Sequence, residues 1–336
     1  MWYSYGSKTT HDMSKKTLKL TTADNFDMKN YLDECIKLRP ATLIMDDLKW
    51  KYMVRSAVRG KNILLLGPTG CGKTLAAQTV AKAIGKADNF FYFNLGATQD
   101  ARSALIGNTH FDKSSGTFFK ESSFVKAIRT PNAIILLDEI SRSHHDGVNI
   151  LMTVLDDLQR YLRLDEKEDN EVVRVADGVT FIATANVGNE YTATRVMDRA
   201  LLSRFPVKIE MNPLDKASEF ALLKGRFNIT EPSHLDILTA VCDIADHTRK
   251  QIKHEDSKIS NFLPTRSTVE IAELIVDGFS LVEIAETTVY PNFSEDGGID
   301  SERTYMKQLV QKYVSTNTNT TLFNDPVKAD AGVVPF

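Results

Sequence analysis

Residues 62–77 read NILLLGPTGCGKTLAA, an apolar run that breaks at a glycine-rich turn and resumes as a helix-compatible stretch. Gly67, Gly72, Lys73 and Thr74 fit the spacing G-x-x-x-x-G-K-[ST] between a strand and a helix, the context in which that spacing carries a mechanism. Glycines let backbone N–H groups turn inward around phosphate oxygens, and the helix that follows adds positive partial charge at its N-terminus. Gly67, Pro68, Thr69, Gly70, Cys71, Gly72, Lys73, Thr74 and Leu75 therefore form the candidate nucleotide-binding set. Lys73 is expected to reach the β- and γ-phosphates, and Thr74 to ligate Mg²⁺.

Four apolar runs have the length of buried strands: 62–66, 90–95, 133–138 and 179–185, with helix-like stretches between them. Near-continuous apolar strands alternating with helices predict an α/β fold, a parallel sheet covered on both faces, with ligands beyond the strands' C-terminal ends. The third run, AIILLDEIS, ends in Asp138 and Glu139. Asp138 is expected to hold the metal through its water shell, and Glu139 to orient and polarise the attacking water. The fourth, VTFIATAN, ends at Asn186, whose amide is placed to contact the γ-phosphate or that water.

A chain of 336 residues leaves room for about two domains. From Leu43 to Lys61 the apolar spacing predicts a helix that ends at Gly60. After Pro213 the segments LDKASEFALLKGRF, HLDILTAVCDIADHTRKQIK and TRSTVEIAELIVDGF have helical spacing and no strand-like run. The expected organisation is a mobile arm over 1–30, the nucleotide-binding α/β domain over 31–212, a smaller all-helical lid over 213–315 and a loose tail over 316–336. Net charge is −3, so no overall basic field recommends nucleic acid as the main partner. The start lacks the apolar core of a secretory leader and no apolar run reaches the ~18 residues that cross a bilayer, which places the chain in the cytosol. Cys35, Cys71 and Cys242 are odd in number and widely spaced, as isolated reduced thiols are. The sequence SHHD at 143–146 reads as an exposed loop, since adjacent histidines diverge and no spaced third ligand accompanies them.

Two stretches interrupt the α/β alternation. FDKSSGTFF reads as two short extended pieces around a Ser-Ser-Gly turn, and RYLRLDEKEDNEVVRVADG places extended pieces around an acidic turn. Phe111, Phe118 and Phe119, with Lys113 and Lys120 nearby, are candidate contacts to a partner, or else aromatic packing at a hairpin base.

With these residues in order, the chain resembles an AAA+ ATPase over about residues 40–290, and more narrowly the MoxR-like, dynein-related branch that includes CbbQ, NorQ, GvpN and the cobaltochelatase subunit CobS. The resemblance implies a P-loop AAA+ core, ATP as the nucleotide with Mg²⁺, and a ring, commonly a hexamer. Asn186 then corresponds to the first sensor, and Arg266 in FLPTRSTVEIAEL to the second, reaching from the lid. In DRALLSRFP, Arg204 is the first choice for a guanidinium that enters a neighbouring subunit's site, and Arg199 the second. Asn94 corresponds to the polar residue that couples Glu139 to ligand state, with a strand-end cap as the equal alternative. The two interruptions resemble the helix-2 insert and the pre-sensor-1 hairpin of this branch. The likeness further implies remodelling of a protein client, with a von Willebrand A domain protein as the candidate. A metal chelatase's ATPase subunit, a nucleic-acid motor and a nucleotide-controlled scaffold are the alternatives.

Overall fold

Alternation along each strand decides how the first half of the chain packs. In the computed structural model, which describes residues 27–113, 116–167, 170–186 and 197–314, strand β1 (Ile63–Leu66) sends Leu64 to one side of a sheet and Ile63 and Leu65 to the other. β5 (Ile134–Asp138) divides in the same way, with Ile135 and Leu137 opposite Ile134 and Leu136. Both sides are apolar because both are covered, the condition under which strands stay parallel and buried.

The five-stranded sheet runs in the order β2 (Phe90–Asn94), β5, β8 (Thr180–Ala185), β1, β9 (Val207–Glu210). Every pairing in it is parallel. The strand β9 was not foreseen from the sequence: VKIE is four residues long and alternates buried with exposed, the weak signature of an edge. Helices α1 (Met28–Ile36), α2 (Asp47–Val58) and α3 (Lys73–Ala83) cover one face, where Trp50, Met53, Val54, Ala76 and Val80 are buried. The opposite face carries α4 (Ala101–Leu105), α5 (Ser123–Arg129) and α6 (His145–Val154), with Phe124, Phe181 and Leu151 fully buried.

Helix α2 starts four residues later than the apolar spacing from Leu43 implies, because Asp46 caps it: its carboxylate accepts from Leu48 N–H at 2.9 Å and Lys49 N–H at 3.3 Å. The SHHD segment is also revised. His145 and Asp146 open α6, while Ser143 and the exposed His144 at its N-cap remain in the connection before it. Among the described residues no group of acidic, histidine or cysteine side chains could hold a metal by itself.

Both interruptions are antiparallel hairpins. β3 (Gly107–Asp112) pairs with β4 (Gly116–Glu121), and β6 (Tyr161–Arg163) with β7 (Val172–Arg174). Phe119 turns back against the core, whereas Phe111 is 73% and Phe118 42% exposed. The His110 ring stacks on Phe118 with centroids 6.0 Å apart. A closed ring of ion pairs joins the hairpins to α5: Arg129 contacts Glu121 and Glu171, and Lys167 contacts the same two carboxylates. Shared partners hold such a network more firmly than isolated exposed pairs, which are worth little.

The chain divides into two compact units at Asn212–Pro213. Among its described residues the second is helical, built from α7's successors: after α7 (Arg199–Ser203) in the first unit come α8 (Lys216–Phe227), α9 (Pro232–Gln251), α10 (Thr265–Val276), α11 (Leu281–Ile284) and α12 (Glu302–Val314). Leu238, Val241, Ile244, Ile271, Ile275 and Met306 form its apolar centre. The arm expected over 1–30 and the tail over 316–336 lie, but for residues 27–30, outside the described residues.

One ion pair is buried in the second unit. Arg249 donates to both carboxylate oxygens of Glu219, at 2.6 and 2.8 Å, and to the Leu214 and Leu263 carbonyls, while Thr268 Oγ1 donates to Glu219 at 2.7 Å. Removing one member strands the other without solvent. Arg249→Met is expected to cost about 3–5 kcal/mol, seen as loss of hydrogen-exchange protection in α8–α10. Adding Glu219→Met to it is expected to restore most of that protection.

Candidate functional site

The parallel order brings three strand ends together. At the end of β1, Gly67 N–H donates to Ala185 O at 3.2 Å, and Met211 N–H to Leu66 O at 2.7 Å. The loop 67–72 is thereby tied to β8 and to the residue after β9. At Gly67 any side chain would collide with the Met211 carbonyl. Gly72 takes φ +88° to start α3 and supplies the turn that aims the helix N-terminus at the loop.

Lys73, the first residue of α3, is only 8% exposed. Its ammonium donates to Gly67 O at 2.8 Å, Pro68 O at 2.7 Å and Asn186 Oδ1 at 2.9 Å. Burial pushes its pKa below the usual lysine range, opposed by the thiol of Cys71 and the carboxylates of Asp138 and Glu139. The Cys71 thiol is pushed up by burial. Cys35 and Cys242 go up for the same reason, to about 11 and about 12, so the described thiols stay protonated and unpaired near neutrality. Leu75 lies partly exposed on α3.

Asp138 ends β5 beside this loop. Its Oδ2 accepts from Thr74 Oγ1 at 3.3 Å, and its Oδ1 accepts from Thr184 Oγ1. Thr184 in turn accepts from the Glu139 N–H at 2.9 Å. Glu139 takes φ +56°, a left-handed conformation that costs a non-glycine residue roughly 1–2 kcal/mol. The consequence is that its side chain leaves the strand direction and lies against Gly96, where an added Cβ would strike the carboxylate. Arg142 lies 3.4 Å from Glu139 Oε2. Asn94 is directly across from Asp138 in the β2–β5 register; its Oδ1 accepts from Ala97 N–H at 3.1 Å, which caps the loop after the strand.

The structure thus brings together Lys73, Thr74, Asp138, Glu139 and Asn186. Two of the candidate arginines lie on α7 in the same unit. Arg204, at the C-cap of α7, donates from Nε to Met152 O and from Nη1 to Ala200 O, both at 2.7 Å, and its backbone carbonyl accepts from Asn62 Nδ2 at 3.0 Å. Arg199 opens α7 exposed and makes no hydrogen bond or ion pair among the described residues. Arg266 is exposed at the N-terminus of α10, in the second unit. Sequence reasoning missed two groups. Thr184 is hidden in the apolar run VTFIATA, and Tyr92, whose hydroxyl donates to Asp138 Oδ2 at 3.0 Å, in FFYFN. Strict alternation along each strand is the signal that would have shown them facing the loop.

The donor set suits a magnesium–nucleotide pair: a backbone turn at a helix N-terminus, a buried ammonium, and a hydroxyl 3.3 Å from a carboxylate. The chain is similar to several known proteins. The AAA domain of the dynein-related subfamily matches residues 62–205. The candidate chaperone BssE of Thauera aromatica is 30% identical over 223 residues, 66% of this chain and 72% of that protein. Mitochondrial Lon protease homologue 1 of Dictyostelium discoideum is 30% identical over 216 residues, 60% of this chain but 21% of that protein. The solved Saccharomyces cerevisiae Hsp104–ADP complex is 17% identical, covers 61% of this chain and 39% of its own, and superposes with a TM-score of 0.46.

Gly67→Ala is expected to abolish binding of a fluorescent ATP analogue by displacing the loop from Met211, and Lys73→Ala to do so by removing the ammonium. In both, α1–α2 should keep their protection from hydrogen exchange. Retained nucleotide binding in Gly67→Ala would show that the loop tolerates a side chain there.

Proposed function

We propose, from the premise that this chain belongs to the AAA+ ATPases of the dynein-related subfamily and hydrolyses ATP, that it is a MoxR-type ring ATPase that remodels or activates a protein client. What supports the coupling to a client is the β3–β4 hairpin, which holds Phe111 and Phe118 in solvent on the unit that carries the phosphate loop. Exposed aromatics on a short antiparallel hairpin are contact groups for an apolar polypeptide segment. The name of BssE, a candidate chaperone, accords with a protein client. A client bearing a von Willebrand A domain, like the hexameric count and a cytoplasmic setting, rests on the resemblance alone.

For hydrolysis the residues take these roles. Lys73, held by Gly67 O and Pro68 O, carries its charge to the β- and γ-phosphates. Asp138 and Thr74 would hold Mg²⁺, which supplies neutralisation of the phosphate oxygens. The Glu139 carboxylate orients the attacking water and accepts its proton, and the left-handed backbone at that residue sets the direction of the side chain. Asn186, bonded to Lys73, reports the state of the γ-phosphate to the segment after β8. The second-sensor role of Arg266 rests on the resemblance alone.

In the first unit the guanidinium at the strand tips, Arg142, is paired with Glu139, so a neighbouring subunit's α7 is proposed to provide another. Arg204 holds the position before Phe205 and Arg199 the greater freedom. In the variant that removes the acting arginine, ATP binding should persist while hydrolysis falls by about 10³-fold. Mixing that variant with Glu139→Gln should restore turnover, because intact interfaces form between the two. Arg204→Ala should in addition loosen α7 from α6, visible as a lowered melting temperature, and Arg199→Ala should not.

Glu139→Gln is expected to bind ATP and turn it over at least ~10²-fold more slowly. Immobilised in ATP, it should retain a discrete protein partner that is lost in ADP and lost on adding Phe111→Ala and Phe118→Ala. Salt-sensitive stimulation of the wild-type ATPase by DNA, with no such protein retained, would favour the nucleic-acid motor instead.

A further inference from the structure

Asp138 Oδ2 has two hydroxyl donors, Thr74 at 3.3 Å and Tyr92 at 3.0 Å. They differ in what else they must do. On the reading above, the Thr74 oxygen offers its lone pair to the metal, and its proton can then turn to only one neighbour. The Tyr92 hydroxyl has no such second duty. It comes from β2, the edge strand on the far side of β5, so it approaches Asp138 from the flank opposite β8 and Thr184.

Alternation in FFYFN makes this placement obligatory. Phe91 and Phe93 turn to the core cluster on one face, and Phe90 packs with the other, so Tyr92 and Asn94 share the face of α3 and the phosphate loop. Tyr92 is nevertheless 47% exposed. A half-exposed phenol at a sheet edge has water available for its hydroxyl, yet it bonds the carboxylate. That bond is charge-assisted and stronger than one to water or to a neutral acceptor.

We propose that Tyr92 is a positioning residue that fixes the rotamer of Asp138 for Mg²⁺. With Thr184 on Oδ1 and Tyr92 on Oδ2, the carboxylate is held from two sides by neutral donors. A lysine or arginine at position 92 would hold it equally well but would cancel the negative charge that attracts the cation.

This inference rests on the assignment of Asp138 to the metal, and the test separates the two. Binding of a fluorescent ATP analogue is titrated with Mg²⁺, and repeated in EDTA, for the wild type, Tyr92→Phe and Asp138→Asn. Tyr92→Phe keeps the ring and loses the hydroxyl. It should bind the nucleotide in EDTA like the wild type and need about five- to tenfold more Mg²⁺ for half-saturation. Its kcat at limiting Mg²⁺ should fall and recover when Mg²⁺ saturates, which a merely structural role would not produce. Asp138→Asn should lose the Mg²⁺ response altogether. An unchanged Mg²⁺ response in Tyr92→Phe, or an equal loss with and without Mg²⁺, would overturn the role of Tyr92 while leaving Asp138 in place. A normal Mg²⁺ response in Asp138→Asn would overturn both.

Discussion

Parallel pairing of β1 with β8, and of β8 with β5, is the constraint on which the site depends. Parallel strands end on the same side, so the residues that follow them are neighbours without any loop having to travel. Leu66 is level with Ala185, which places Gly67 beside Asn186, and Leu137 is level with Ala183, which places Asp138 beside Thr184. An antiparallel neighbour in the centre would send one of these ends to the opposite rim. The packing that enforces the order is apolar on both faces, so the chemistry at the rim is held by side chains that take no part in it.

Residues that announce themselves by type and spacing were legible in the sequence. The phosphate loop, the acidic pair and Asn186 all stand at the ends of uninterrupted apolar runs, and the structure joins Lys73 to Asn186 and Thr74 to Asp138 by hydrogen bonds. The two hairpins were legible because polar turns break helical spacing. What the sequence concealed was pairing. Thr184 reads as one more β-branched residue in a strand, and Tyr92 as one more aromatic, until the sheet order shows which strand flanks which. Strand β9 was concealed by its length, and the start of α2 by an aspartate whose capping bonds outweigh three apolar residues before it.

Arg204 marks a different limit. Sequence position before Phe205 selects it as a group that acts outside its own chain, yet its guanidinium spans α6 and α7 through Met152 O and Ala200 O. Asn62, buried at the start of β1, binds the carbonyl of the same residue and that of Leu155. The base of β1, the end of α6 and the end of α7 therefore share one polar knot. Hydrogen bonds thus link α7 to the strand that carries the phosphate loop.

Charge is segregated across the site, and the groups that hold Asp138 are neutral. The ammonium of Lys73 stands on the β1–β8 side with an amide for its partner, and the carboxylates of Asp138 and Glu139 stand at β5. Threonine and tyrosine hydroxyls, together with a backbone N–H, hold the acidic side in place. Had Lys73 been paired directly with Asp138, each would have satisfied the other, and an incoming phosphate and cation would first have to break a partly buried ion pair. Orientation by uncharged donors leaves both fields intact. The positive one faces the phosphate loop and the negative one the metal, which is the electrostatic condition for taking up a nucleotide and its cation together.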